Sequence, residues 1–485
     1  MHLSDYASYD ALGLAELIRS GQVAVAEVVD AALAANGAVN ERLNAVIDIW
    51  PEDVAAQIAS APRDGPFHGV PFLIKDVALQ MEGKRSEMGS RLASGLTAAA
   101  DTHLMQRFRK AGLVTFGRTA APEMGFSCTT ETVYQGPVHN PWNLSRNVGG
   151  SSGGTAAAVA AGVVPMAHGN DGGGSIRVPA SSCGLVGLKP TRGRVPIGPD
   201  ADEALNGMGI ELGLSRTVRD SAALLDAVQG DEPGDPYVIP APARPYLSEV
   251  DREPATLRIG VMAQPFGGAA TSPEVARATA ETAEHCRALG HRVEISDMKL
   301  GVSWEEFVLG NAQLWTANLA ALIAGLAEAL GRPIDLSTLE APTLACYEYG
   351  RKVTAMEMLG ALGMRNRVTR SLGHWFTRND VLLSPTLPGL PAPIGEFGKG
   401  SEYDSGLDWT RRIFETSPFT PMFNVSGLPA ISVPLAFDEK TALPIGMQFA
   451  AGFGREDILF QLAGQLERTR PWAARKPAIW AAAAA

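Results

Sequence analysis

The chain has 485 residues, of which 46% are hydrophobic and 19% charged; that balance builds a large core and argues against disorder. A net charge of −11 argues against nucleic acid or an anionic membrane surface as a partner, since both need a basic footprint. Cys128, Cys183, Cys286 and Cys346 are scattered with no CxxC pair, which points away from disulfides and metal sites and toward reduced thiols in a cytoplasmic protein.

Taken in chain order, Met1 to Asp10 lack the basic and apolar regions of a signal peptide. No run of 18 strongly apolar residues occurs outside the Ala-rich stretches, so no membrane span is expected. Residues 8–36 have helical periodicity, with Leu12, Leu14, Leu17 and Ile18 on one face and Val28, Val29 and Leu33 continuing it. Phe72 to Ile74 reads as a buried strand, 102–111 as a helix, and Leu113 to Phe116 as the strand after it. Ala156 to Ala161 is a helix former, followed by a strand from Val163 to Ala167. The Pro- and Gly-rich residues 230–256 read as a surface excursion, and Arg258 to Met262 as a strand. Two long helices, 303–330 and 343–372, suggest a helical cap inserted at about 303–372. Val381 to Ser384 is a strand, 388–410 a flexible loop, and Ala430 to Pro434 and Gly446 to Ala450 the last strands before a helix at 457–466. The alternation predicts an α/β fold with helices around a central sheet. With no long linker and no internal repeat, 1–480 reads as a single domain and Ala481–Ala485 as a tail outside it.

Three glycine-rich segments carry the chemistry. They are Gly149-Gly-Ser-Ser-Gly-Gly-Thr at 149–155, Asn-Asp-Gly-Gly-Gly-Ser-Ile-Arg at 170–177, and Cys-Gly-Leu-Val-Gly-Leu-Lys-Pro-Thr at 183–191. Upstream, Gly69-Val-Pro-Phe-Leu-Ile-Lys-Asp ends an apolar run on Lys75. A neutral serine needs a base. His168 lies seven residues before Ser175, but packing or hydrogen bonding is its simpler role. Lys75 would be carried inward by its strand, and burial would lower its pKa toward the working range. The competing reading is a strand-end lysine paired with Asp76. The glycines before Ser175 would let backbone N–H groups converge on an oxyanion. A phosphate loop is the rival, but neither Gly-x-x-x-x-Gly-Lys-Ser/Thr nor a strand-linked Gly-x-Gly-x-x-Gly is present.

These segments resemble the amidase signature family of serine hydrolases. The likeness extends through Asn140-Pro-Trp-Asn, Leu214-Ser-Arg-Thr-Val-Arg-Asp, Phe423-Asn-Val-Ser-Gly-Leu-Pro-Ala-Ile-Ser-Val-Pro, Pro444-Ile-Gly-Met-Gln and Gly454-Arg-Glu-Asp, so it spans nearly the whole chain. Within the family the chain is most similar to the bacterial branch containing 6-aminohexanoate cyclic dimer hydrolase, through Ala121-Pro-Glu-Met-Gly and Ala167-His-Gly-Asn-Asp. The resemblance implies a central mixed β-sheet flanked by helices on both faces. It implies a Ser–cis-Ser–Lys triad: Ser175 as nucleophile, Ser151 as relay, Lys75 as base. Gly172, Gly173, Gly174 and Ser175 would supply the oxyanion hole, and Ser152, Asp171 and Arg177 would brace the loops. Two departures from the family pattern stand at Asn170, usually Thr, and at Gly172, usually Thr, Ile or Ala. By resemblance, Phe126, Cys128 and Trp315 are pocket candidates. The implied activity is hydrolysis of a small non-peptide amide, with esters and carbamates as further candidates, by a monomer or homodimer needing no cofactor or metal. The rival is the catalytic subunit of a glutamine-dependent tRNA amidotransferase; its usual Ser-Ser-Leu-Asp-Gln is replaced here by Gly209-Ile-Glu-Leu-Gly-Leu-Ser.

Overall fold

Short β-rich runs become the strands of three sheets, one of them only a two-stranded ribbon, in the computed structural model, which describes residues 1–201 and 203–483. In chain order the strands are β1 (Val46–Ile49), β2 (Pro71–Lys75), β3 (Val114–Thr119), β4 (Glu131–Thr132), β5 (Gly136–Pro137), β6 (Met166–Asp171), β7 (Val186–Lys189), β8 (Ile210–Ser215), β9 (Arg258–Val261), β10 (Arg292–Ile295), β11 (Val381–Pro385), β12 (Ala430–Asp438) and β13 (Leu443–Ala451). Eight of them form a mixed sheet in the order β10-β9-β11-β13-β12-β7-β8-β6, parallel from β10 to β11 and antiparallel beyond. A smaller sheet has the order β1-β3-β2. Helices pack on the large sheet, among them Arg177–Cys183, Val218–Val228, Pro273–Ala288 and Glu456–Thr469. The architecture is the α/β arrangement that the alternation predicts.

β2 lies beside β6, so the small sheet presents the end of β2 to the last strand of the large one. All five residues of β2 are buried, which carries Lys75 inside. The side chains around β2, β6 and the helix Gly153–Ala160 belong to one hydrophobic cluster, including Phe72, Ile74, Ala156 and Ile176. A second cluster joins Met124, Phe126, Trp315 and Phe414 to the long helices. The serine loops are rooted in the first cluster and roofed by the second.

Several expectations are corrected. The periodic stretch 8–36 is broken into helices Ala11–Arg19 and Val25–Leu43, because Asp10 caps the first one through the N–H of Gly13 at 3.0 Å and the chain turns before Val25. The cap region holds three helices, Trp304–Leu330, Ala341–Gly350 and Ala355–Phe376, with a Thr354–Glu357 capping box starting the third. The loop expected at 388–410 is shorter, since a helix capped by Ser405 runs over Gly406–Thr416. Ala481–Ala483 forms a short 3-10 turn in which Ala481 is buried and donates to the carbonyl of Ala161, so the tail assignment holds for neither its start nor its packing; Ala484 and Ala485 lie outside the described residues. Trp304–Leu330, one of the Ala-rich stretches, is by length and composition apolar enough to cross a membrane. Here it packs against the helices Ala341–Gly350, Ala355–Phe376 and Gly406–Thr416, so its apolar face serves a protein core.

Candidate active site

Lys75 ends β2 with its side chain almost fully enclosed. Its Nζ lies 2.7 Å from Ser151 Oγ and 2.5 Å from Asn170 Oδ1. The Asn170 amide is fixed the other way round by donating to the carbonyl of Val77 at 2.9 Å. The pairing with Asp76 does not form: Asp76 Oδ1 accepts from Arg118 at 2.8 Å, and Arg118 is further held by Glu87. Burial pulls the Lys75 ammonium down from its ordinary 10.5 to about 7, while the negative charges of Glu211 and Asp171 limit the fall.

Ser151 follows a cis Gly150–Ser151 peptide bond at the start of the helix Gly153–Ala160. Ser152 ties two loops together: its N–H donates to the carbonyl of Ser175 at 3.2 Å and its hydroxyl to the carbonyl of Asn170 at 3.2 Å. Ser175 stands between β6 and the helix Arg177–Cys183 and lines the same cavity as Ser151.

Asp171 and Arg177 hold the glycine loop. The Arg177 guanidinium gives Asp171 two hydrogen bonds, Nε to Oδ2 at 3.0 Å and Nη2 to Oδ1 at 2.9 Å, and its backbone N–H a third, to Oδ2 at 3.4 Å. Its remaining donors reach the carbonyl of Thr420, Gln448 Oε1 and Asn424 Oδ1. Burial alone would raise the Asp171 carboxyl, but the Arg177 charge and the hydrogen bonds of Arg177 and Asn424 hold it at about 2. The carboxylate also accepts from the N–H groups of Gly174 at 2.7 Å and Ile176 at 3.2 Å. This corrects the oxyanion set. The N–H of Gly174 is spent on the loop itself, whereas those of Gly172, Gly173 and Ser175 donate to no protein acceptor among the described residues. Gly174 has φ +137°, and a Cβ there would sit 2.4 Å from Thr420 Oγ1, so the bend requires glycine.

The site opens into a cavity of about 440 Å³. Its walls are mostly apolar, with Val77, Leu79, Met88, Met124, Phe126, Trp315 and Leu319 facing Ser151 and Ser175. Phe126 and Trp315 stack with ring centroids 4.5 Å apart and planes 10° from parallel. They are at once core residues and cavity wall. Behind them a pocket of about 20 Å³ also touches Ser175 and is lined by Cys128, whose thiol burial pushes upward. Cys128 therefore faces the small pocket and not the large one. Trp315 explains the unusual Gly172: a Cβ there would lie 2.7 Å from the indole and 2.8 Å from Leu205. The indole Nε1 is buried and has no hydrogen-bond partner among the described residues. All four cysteines are free, and among the described residues no three His, Cys, Asp or Glu side chains cluster as metal ligands would.

Asn424, Thr420, Gln448 and Glu211 escaped the sequence reading. Each is a polar residue set inside an apolar run, as in Phe423-Asn-Val and Met447-Gln-Phe, and that interruption was the available signal.

Residues 27–460 match the model of the family described as Amidase. Over 479 residues the chain is 39% identical to the 6-aminohexanoate-cyclic-dimer hydrolase of Paenarthrobacter ureafaciens, covering 97% of this chain and 96% of that protein. A solved structure of 6-aminohexanoate cyclic dimer hydrolase complexed with substrate matches with a TM-score of 0.92 at 38% identity, covering 98% of this chain and 99% of the other. A bacterial aryl acylamidase of the amidase signature enzymes matches with a TM-score of 0.86 at 26% identity, covering 96% and 99%.

Proposed function

We propose, from the premise that this chain belongs to the amidase signature family of hydrolases acting on carbon–nitrogen bonds, that it cleaves small apolar amides through Ser175, Ser151 and Lys75. The observation that carries this reading is the enclosed Lys75 Nζ at 2.7 Å from Ser151 Oγ, with Ser151 itself lining one cavity together with Ser175. Ser175 Oγ attacks the amide carbonyl carbon and its proton passes through Ser151 to the neutral Lys75 amine. The oxygen of the tetrahedral intermediate takes its charge against the N–H groups of Gly172, Gly173 and Ser175. Lys75 then returns the proton through Ser151 to the leaving nitrogen, the C–N bond breaks, and an ester to Ser175 remains. Water attacks that ester along the same relay in reverse, releasing the acid and restoring the serine.

The cavity supports an uncharged substrate with an apolar body. Its wall is largely aliphatic and aromatic, and no Lys or Arg side chain stands among its described lining residues to pair with a substrate anion. A turnover panel of aliphatic amides, anilides, carbamates, cyclic amide oligomers and glutamine tests this. Neutral apolar amides are expected to exceed glutamine in kcat/KM; preference for glutamine, or no turnover of any member, would overturn the assignment.

Trp315→Ala joins the large and small pockets. We expect a stability loss of about 3 kcal/mol from the truncated aromatic. The kcat/KM ratio of bulky to small amides should rise on the order of tenfold. A ratio unchanged in the folded variant would remove Trp315 from the substrate wall.

A further inference from the structure

Lys75 needs a counter-charge if its proton is to be held and released near neutral pH, and the surrounding elements leave one carboxylate for that task. β3 brings Arg118, which is engaged by Asp76 and Glu87. β6 brings Asp171, which is claimed by Arg177 and Asn424. The helix Val25–Leu43 has its charged residues Glu27, Asp30, Glu41 and Arg42 on its exposed side, and the helix Gly153–Ala160 carries none. Asp200, from the loop before β8, lines the cavity but is exposed. There remains Glu211 on β8, which is buried and lines the cavity.

Strand register puts Glu211 where it can act. Glu211 is paired with Asn170 across the β6–β8 ladder, and strand alternation places His168 on the same face as Asn170. His168 Nε2 lies 2.6 Å from Glu211 Oε2, and His168 Nδ1 accepts the backbone N–H of Lys75 at 3.2 Å. An accepting Nδ1 carries no proton, so the ring donates from Nε2 and is neutral. The edge of the ring packs against Phe108 at 5.9 Å. A neutral imidazole aims the carboxylate without cancelling it.

We propose that Glu211, aimed by neutral His168, is a positioning residue that acts as the counter-charge of Lys75 and so sets the pH at which the relay becomes competent. This rests on Lys75 being the base. Removing the charge while keeping the shape, as in Glu211→Gln, disfavours the ammonium. The acidic limb of the kcat/KM profile should move down by about one pH unit. The Lys75 side chain followed by 13Cε NMR, assigned by its loss in Lys75→Met, should titrate lower by the same amount. Glu211→Asp, which keeps the charge, should return both midpoints toward the wild type. His168→Asn keeps the carboxylate but loses its guide; it should shift both midpoints downward by less, and it supplies the test if E211Q does not fold. Midpoints unchanged in a folded E211Q or His168→Asn protein overturn the proposal, as does a shift in Glu211→Asp equal to that of E211Q. If no amide is turned over, the NMR midpoint still decides the proposal, and the loss counts against the substrate reading alone.

Discussion

Ser175→Ala is expected to lower kcat/KM on the order of 10⁴-fold or more while the protein stays folded. In the proposed mechanism the hydroxyl supplies the attacking oxygen, and loss of a nucleophile that works as part of a unit costs most of the chemical acceleration. The fold has little stake in the same oxygen. The loop is held by Asp171 bonding Gly174, by Thr420 bonding the carbonyl of Gly173 at 2.6 Å, and by Ser152 bonding the carbonyl of Ser175. None of these involves the Ser175 side chain. Steady-state kinetics together with thermal denaturation check the split, and covalent labelling by a serine-directed phosphonate should vanish with activity. Full turnover in a folded Ser175→Ala protein would sink the mechanism.

Lys75→Met should abolish turnover to a similar degree and change how stability depends on pH. As the proposed base Lys75 would work only when neutral, so the wild-type kcat/KM should rise as pH rises through about 7. The folding consequence has the same origin. The folded-state value of about 7 lies below the ordinary 10.5, so between these limits the unfolded chain binds a proton that the folded one does not. Unfolding free energy therefore rises with pH across that window, by up to about 1.4 kcal/mol per pH unit from this one group. The Met variant lacks the group. The difference between the two stability curves, measured by denaturant titration from pH 7 to 10, should show that slope. Parallel curves would mean that Lys75 keeps its proton in the folded protein.

Legibility in the sequence tracked the distance over which each residue finds its partners. Lys75 could be placed from three apolar neighbours that form its own strand, and Ser151 and Ser175 from the glycines beside them. Arg177 could be seen to brace a loop, but its acceptors Thr420, Asn424 and Gln448 lie more than 240 residues away and have no local pattern to announce them. The same holds for Glu211, which meets His168 through a strand pairing that only the folded sheet creates. Gly174 was misjudged for a related reason. Its N–H looked available because the sequence cannot show that Asp171, three residues earlier, folds back onto it. Element ends erred where a polar cap overrode the local pattern, helical periodicity at Asp10 and Gly- and Pro-rich composition at Ser405.

The close approach of Trp315 to Gly172 also orders the changes this chain could accept. A Cβ at 172 would come within 2.7 Å of the indole and 2.8 Å of Leu205, so a side chain there is gained more easily once the tryptophan has been replaced by something smaller and Leu205 has shifted. The reverse order passes through an overpacked intermediate costing about 1–3 kcal/mol. The two positions are therefore epistatic, with an interaction energy set by contact rather than by catalysis. A lineage that first widens the cavity through residue 315 gains room for change in the loop before Ser175. One that begins at the loop meets the overpacking cost at its first step.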